Sequence, residues 1–193
     1  MLKIFVIFLL TSIYTFVRYV IFGGVDAIHI PVYLLNKSFS MAATIFIFLT
    51  ILNYYKTNEE NIKTFGKASL HFSFIHIMLS VSILSKAYYP KFFMSYKMNL
   101  IGVLVVLTGV LTAYLLKVSS DNTKKLIAPK SFFLLINLFL GAHLFIMGFK
   151  GWLTIGKWHG SLPPISLVSF LFIIISLHIL FFMKSPEKIQ NIE

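Results

Sequence analysis

Histidine is the residue type in this chain best suited to chemistry within a membrane, and four of the six histidines lie inside long apolar stretches. These four are His71, His76, His143 and His178, whereas His29 and His159 fall between the stretches. The chain has no cysteine, which excludes disulfides, thiolate metal sites, iron–sulfur clusters and cysteine nucleophiles. Because a polar side chain in a membrane span is costly, it usually faces the bundle interior and serves a function.

Two of these histidines, His76 and His143, lie at similar depths in their stretches. His76 follows Lys67 by nine residues, or about 14 Å of helix, which predicts a position near the middle of the membrane. His143 precedes Lys150 by seven residues, or about 10 Å, which is somewhat nearer the outside. Both helices are predicted to run from inside to outside, and ordinary tilt absorbs the remaining difference. We therefore expect the two imidazoles to meet across a gap in the bundle.

Such a pair of imidazoles is typical of a heme site. Heme iron accepts a neutral imidazole nitrogen at each axial position, and the resulting low-spin iron is suited to passing one electron. The predicted metal ligands are therefore His76 and His143, one from each helix, as axial ligands of a heme iron.

The neighbours of the two ligands complete the predicted cofactor site. Its six members are His76, His143, Lys150, Phe139, Ser73 and Ser80. The two serines share the helix face of the first histidine, and Phe139 and Lys150 share the face of the second, where Lys150 could pair with a heme propionate. Another interpretation stays open, in which the serines form an ordinary helix-packing face and Lys150 extends to the membrane interface.

The other two buried histidines raise the question of a second heme. His71 and His178 both lie close to the predicted inner surface, by their distances from neighbouring lysines. His71 comes five residues before His76, so the two side chains point about 140° apart and cannot serve one heme from the same face. The alternative roles for His71 and His178 are hydrogen bonding within the protein or contact with water.

The composition defines the elements that must position these residues. Of the 193 residues, 58% are hydrophobic and 12% are charged, whereas soluble domains carry about 25% charged residues. The mean hydropathy of +0.88 excludes a water-soluble enzyme or nucleic-acid binder, since such a chain would expose large apolar patches. Six stretches are long enough to span a bilayer: 2–22, 39–55, 68–89, 98–118, 132–153 and 165–183. The sequence therefore predicts an all-α membrane protein that is one domain, a six-transmembrane-helix bundle.

The charges between these stretches predict the orientation. The net charge is +11, and basic residues collect in cytoplasmic connectors of membrane proteins. With the N-terminus inside, the inner connectors carry ten lysines and the outer ones six, which places both the N- and C-termini in the cytoplasm. Polar or breaking residues mark the connectors, among them Asn36-Lys37-Ser38 and Tyr89-Pro90. We interpret the positive charge as a sign of membrane topology and of contact with membrane lipids. We expect no nucleic-acid partner.

Two segments of the chain resemble the ferric reductase-like transmembrane domain family. The first is Phe65-Gly66 followed by Leu70, Phe74 and His76, which looks like the third-helix pattern of that family. The second runs from Gly141-Ala142-His143-Leu144 through Met147-Gly148-Phe149-Lys150-Gly151-Trp152-Leu153 to Trp158 and Leu162-Pro163-Pro164. It resembles the fifth helix and outer loop of bacterial members.

The resemblance implies a multi-pass protein of the inner or plasma membrane that binds heme b and transfers electrons, as ferric reductases and NADPH oxidases do. By motif match it assigns the axial ligands to His76 and His143. Two-heme members carry another histidine near the inner end of the fifth helix, and Lys130 to Asn137 holds none, which favours one heme over two. The chain has no flavin or nucleotide-binding domain, so the expected electron donor is a separate flavoprotein or a quinol.

Two other functions remain open from the residues alone. One is a small transporter in which the buried histidines relay protons, although all six acidic residues lie outside the predicted spans. The other is a membrane scaffold protein without a cofactor. The heme hypothesis differs from both because it predicts a bis-histidine absorption spectrum.

Overall fold

The computed structural model describes residues 1–121 and 129–184. Six long helices account for most of this part of the chain: α1 (Leu2–Phe16), α2 (Ile30–Tyr55), α3 (Glu59–Ser82), α4 (Leu100–Asp121), α5 (Pro129–Trp152) and α6 (Ile165–Phe182). The helix α1 continues into a π-helical turn, Val17–Ile21. Two short strands, β1 (Phe93–Met94) and β2 (Lys97–Met98), form a hairpin between α3 and α4. Three of the lysines used for the predicted orientation, Lys124, Lys125 and Lys188, lie outside the described residues.

Within the described residues, five helical segments are long and apolar enough to cross a membrane. They are Leu2–Ile21, Ala27–Tyr55, Leu100–Ser120, Lys130–Trp152 and His159–Phe182. The protein is therefore a multi-pass, all-α membrane protein. The helix α3 is not among the five, because its first turns are charged and its more apolar part, residues 65–82, still contains Lys67, two histidines and four serines.

The helix α2 begins at Ile30 and not at Phe39, so the connector predicted at Asn36-Lys37-Ser38 is wrong. Pro31 occupies the first turn of the helix, where a proline is well tolerated because its missing N–H has no partner to lose. Ser38 donates to the main-chain oxygen of Leu34 at 3.0 Å, one turn earlier. Ser38 therefore satisfies its hydrogen bond inside the helix, and the polar run does not interrupt α2.

The helix α3 begins and ends earlier than the predicted stretch 68–89. Its start is fixed by Asn58, whose side chain accepts a hydrogen bond from the main-chain N–H of Asn61 at 3.0 Å, and by two glutamates in the first turn. Its last residue is Ser82, well before the breaker at Tyr89-Pro90. His76 therefore lies only about 9 Å from the end of α3, whereas the lysine positions had predicted the middle of a span.

The helices pack around α2, which contacts α1, α3 and α6, while α5 packs between α4 and α6. The connections alternate between two ends of the bundle. We call the end that carries the β1–β2 hairpin the hairpin end, and the other the opposite end. Toward the opposite end lies a cluster of buried apolar residues from α2, α4, α5 and α6: Ile47, Ile51, Tyr54, Leu116, Phe133, Ile136 and Leu180.

Candidate functional site

The imidazole of His76 is held by one residue of α2, Asn36. Its Nδ1 lies 2.5 Å from the side-chain oxygen of Asn36 and 3.1 Å from the main-chain oxygen of the same residue. Asn36 is itself almost fully buried, with 2% of its surface exposed. Because a main-chain carbonyl can only accept a hydrogen bond, the proton of a neutral His76 lies on Nδ1.

The imidazole of His143 is held in the same manner by the main chain of α4. Its Nδ1 lies 2.8 Å from the main-chain oxygen of Val105, so Nδ1 donates here as well. The ring lies against Gly109, one turn further along α4. A methyl group added to that glycine would stand 3.1 Å from both Cε1 and Nδ1 of the ring. The glycine therefore provides the space that the imidazole occupies.

The two histidines thus share one hydrogen-bonding pattern. Their imidazoles are within electrostatic range of one another. In the described part of the chain, the Nε2 atom of neither ring makes a hydrogen bond, and α3 and α5 do not pack closely together. Each ring consequently presents an unprotonated Nε2 with a free lone pair, which is the form of histidine that binds a metal ion.

This donor set fits the axial ligands of a heme iron. A hydrogen bond from Nδ1 to a carbonyl oxygen fixes the tautomer and the ring orientation of a metal-binding histidine, and both rings have one. Two ligands suffice for heme because the porphyrin nitrogens supply the others. Among residues 1–121 and 129–184 there is no group of three or more His, Cys, Asp or Glu side chains that could hold a metal ion directly.

The other predicted members of the site have different positions. Ser80 lies beside His76 and donates to the side-chain oxygen of Asn36 at 3.0 Å. Ser73 and Phe139 are half-buried on α3 and α5. Lys150 is exposed in the last turn of α5, where it fits the alternative of a lysine that extends to the membrane interface.

A different lysine, Lys37, is the cation close to His76. Its charge is within electrostatic range of the imidazole. The ammonium lies 4.6 Å from the centre of the Tyr19 ring and 4.3 Å from that of Tyr33, so two aromatic faces enclose it. Sequence reasoning missed both Asn36 and Lys37 because the polar run they form was interpreted as a connector. Its position within an otherwise apolar stretch is the signal that could have found them.

Arg18 ties the end of α1 to the connection between α5 and α6. Its guanidinium donates to the main-chain oxygens of His159, at 3.3 Å, and of Leu162. Only 3% of its surface is exposed, so the arginine points into the protein and does not extend to the lipid interface. Tyr14 adds a second tie, since its hydroxyl donates to the main-chain oxygen of Pro163 at 2.6 Å.

The remaining histidines are exposed and do not join the pair. His71 bonds through Nδ1 to the main-chain oxygen of Lys67 on its own helix, at 2.7 Å. His178 packs its ring against Phe182, with the ring centres 4.6 Å apart. His29 bonds to the hydroxyl of Tyr88 at 2.7 Å at the hairpin end.

Two residues of the connection between α3 and α4 extend the site toward the hairpin end. The hydroxyl of Tyr89 accepts a hydrogen bond from the side-chain nitrogen of Asn36 at 3.0 Å, and burial raises the pKa of this hydroxyl. Lys91 donates to the main-chain oxygen of Met147 on α5. Partial burial, together with the positive charge of Lys37, lowers the pKa of the Lys91 ammonium. The connection therefore contacts both the α2 and α5 sides of the site.

Comparison with known proteins adds no relative to this description, since no family model and no curated protein matches the chain.

Proposed function

We propose that the protein binds heme b and transfers electrons within the membrane, as the membrane component of an oxidoreductase that resembles the ferric reductase-like family. The observation that carries this proposal is the matched state of His76 and His143. Each bonds through Nδ1 to a carbonyl oxygen and leaves Nε2 free, and each comes from a different helix of one bundle. His71 also bonds through Nδ1 to a main-chain oxygen, but that oxygen belongs to its own helix at the surface, whereas the oxygens that hold His76 and His143 belong to neighbouring helices.

Residues of the site would hold the cofactor and set the charge around it. His76 and His143 would hold the iron, and the carbonyl oxygens of Asn36 and Val105 would keep the two rings in the binding tautomer. When bound, heme supplies a centre that accepts and releases one electron. Lys37, and not Lys150, would balance a negative charge of the cofactor, because it is the lysine within range of His76.

The proposed arrangement in the membrane has six spans. The helix α3 contains 24 residues, about 36 Å of helix, which is long enough to cross the hydrocarbon layer alongside α2. Its charged first turns would then lie at the cytoplasmic surface together with both termini, and the hairpin end would face outward. A separate flavoprotein would supply electrons from the cytoplasmic side of the inner or plasma membrane. A quinol in the bilayer is the alternative donor.

The test is a reduced minus oxidised difference absorption spectrum. It is recorded on the purified full-length protein, which is expressed with ample heme supply. We expect a sharp b-type signal in the wild type that is lost in His76→Ala and in His143→Ala. The variants His71→Ala and His178→Ala are matched controls, because they remove exposed histidines from α3 and α6, and they should keep the signal. Absence of heme from the wild type, or its retention in both ligand variants, would refute the proposal.

A further inference from the structure

The side chain of Asn36 makes hydrogen bonds to His76, Ser80 and Tyr89. Its side-chain oxygen lies 2.5 Å from Nδ1 of His76 and accepts a hydrogen bond from Ser80 at 3.0 Å. Its side-chain nitrogen donates to the hydroxyl of Tyr89 at 3.0 Å. The amide is therefore held at both its oxygen and its nitrogen, and it cannot turn over without losing these bonds.

We propose that Asn36 is a positioning residue for His76, which selects the tautomer with the proton on Nδ1 and sets how strongly Nε2 donates electrons. The selection of the tautomer is a property of the protein alone. The effect on electron donation rests on the proposed function, because it concerns an iron bound at Nε2.

The chemical identity of Asn36 matters because it is a neutral acceptor. A carboxylate at the same place would pull the Nδ1 proton more strongly, give the ring more negative character and make Nε2 a stronger donor. A stronger donor stabilises oxidised iron more than reduced iron, so it lowers the reduction potential. An amide therefore keeps the potential higher than an aspartate would.

The two proposed ligands differ in this respect. His143 bonds to a main-chain oxygen of α4, which no side-chain substitution removes. At His76, one partner is a side chain that can be replaced. Substitution of Asn36 should therefore change the state of His76 while leaving His143 as an internal reference in the same molecule.

The first experiment uses the heme-free, full-length protein, labelled with ¹⁵N in its histidine rings, and nuclear magnetic resonance to measure the two ring nitrogens. We expect Nδ1 of His76 to be protonated in the wild type. In Asn36→Leu only the main-chain oxygen of residue 36, at 3.1 Å, remains to accept the Nδ1 proton, so the His76 signals should move part of the way toward a mixture of tautomers, whereas the His143 signals stay in place. Asn53→Leu is the matched control, because Asn53 is also on α2 but bonds to Leu49 and Asn61 at the opposite end.

The second experiment uses heme-loaded protein and measures the midpoint potential and the heme affinity. Asn36→Asp should make the potential more negative. Asn36→Leu should weaken heme binding about ten- to a hundredfold, which is the usual cost of losing the hydrogen-bond partner of a ligating histidine. Asn53→Asp should change neither quantity. A carboxylate at Asn36 that leaves the potential unchanged would overturn the electronic part of the proposal.

A further variant keeps the inference testable if Asn36→Leu does not fold. Ser80→Ala removes one bond to the Asn36 oxygen and leaves the amide in place, so it should give a smaller shift of the same His76 signals. Unchanged His76 signals in the folded Asn36 or Ser80 variants would overturn the positioning role. Because the tautomer is measured without heme, this result is independent of whether the protein binds heme at all.

Discussion

Gly109 lies directly beneath the imidazole of His143, and a methyl group in its place would stand 3.1 Å from two atoms of the ring. That distance is shorter than an ordinary van der Waals contact, so the ring would have to move by a few tenths of an ångström. The same ring is fixed by its hydrogen bond to Val105, one turn earlier on α4, at 2.8 Å. A glycine and a carbonyl oxygen of one helix thus set the position of a histidine on the next.

We predict that Gly109→Ala weakens heme binding. The methyl group pushes the ring away from Val105 and shifts Nε2. Overpacking of this kind lowers the unfolding free energy by about 1–3 kcal/mol. The better helix propensity of alanine offsets up to about 1 kcal/mol of this loss. Heme titration and thermal unfolding measure the two effects. Gly151→Ala on α5 is the control, because its methyl group would meet nothing within 4 Å. Equal heme affinity in the two variants would contradict the prediction.

A second prediction concerns the charge of Lys37. Reduction adds an electron to the site, and a nearby cation favours it, so Lys37→Met should lower the midpoint potential of bound heme. The shift should persist in high salt, because the ammonium is enclosed by Tyr19 and Tyr33 and poorly screened. Lys150→Met should leave the potential unchanged, since Lys150 is exposed at the end of α5. A larger shift in the Lys150 variant would restore that lysine as the partner of the cofactor.

A third prediction follows from the lowered pKa of Lys91. A lower pKa gives a larger fraction of neutral amine at a given pH, so acylation of Lys91 should begin at a lower pH than for an ordinary lysine. Burial is the main cause and the charge of Lys37 the second, so Lys37→Met should move the Lys91 profile part of the way back. Mass spectrometry of the labelled protein across a pH series measures this. Superimposable profiles with and without Lys37 would show that the two charges do not interact.

A fourth prediction tests the tie made by Arg18. Arg18→Met leaves the partly buried main-chain oxygen of Leu162 without its donor, which costs about 1–3 kcal/mol of unfolding free energy, whereas the oxygen of His159 keeps a hydrogen bond from the main-chain N–H of Leu162. Tyr14→Phe removes one hydrogen bond to Pro163 and should cost about 0.5–1.5 kcal/mol. Unfolding in a mild detergent compares both with Lys157→Met, which alters an exposed residue of the same connection. Equal stability of all three variants would mean that these ties do not hold the connection.

The sequence was sufficient to predict a helical, multi-pass membrane protein and to single out His76 and His143 as candidates for one physical reason. Apolar length and the cost of burying an imidazole are properties of single stretches, and both can be judged without knowledge of the fold. The structure has six long helices in the described residues, of which α2 and α3 begin nine residues before the predicted stretches, and it brings His76 and His143 within electrostatic range. Whether the pair binds heme stays a prediction.

The partners of the histidines could not be predicted, because they depend on contacts between helices. Val105 contributes a main-chain oxygen, which every residue type has, so its identity gives no signal in the sequence. Gly109 contributes only the space left by its missing side chain. Asn36 and Lys37 were assigned to a connector, since a polar run is usually solvated. Only their packing against α3 and the Tyr19 ring shows why they remain inside a helix.

The main-chain partner of His143 has a consequence for how this protein can change. Any residue that keeps α4 helical supplies the same oxygen at position 105, so mutation there is nearly silent for the tautomer of His143. The neighbouring position 109 tolerates no added atom without moving the ring. A mutational scan along α4 that measures the tautomer of His143 should therefore find little effect of substitutions that preserve the packing of the buried Val105 side chain, and a large effect of substitutions at position 109, one turn later.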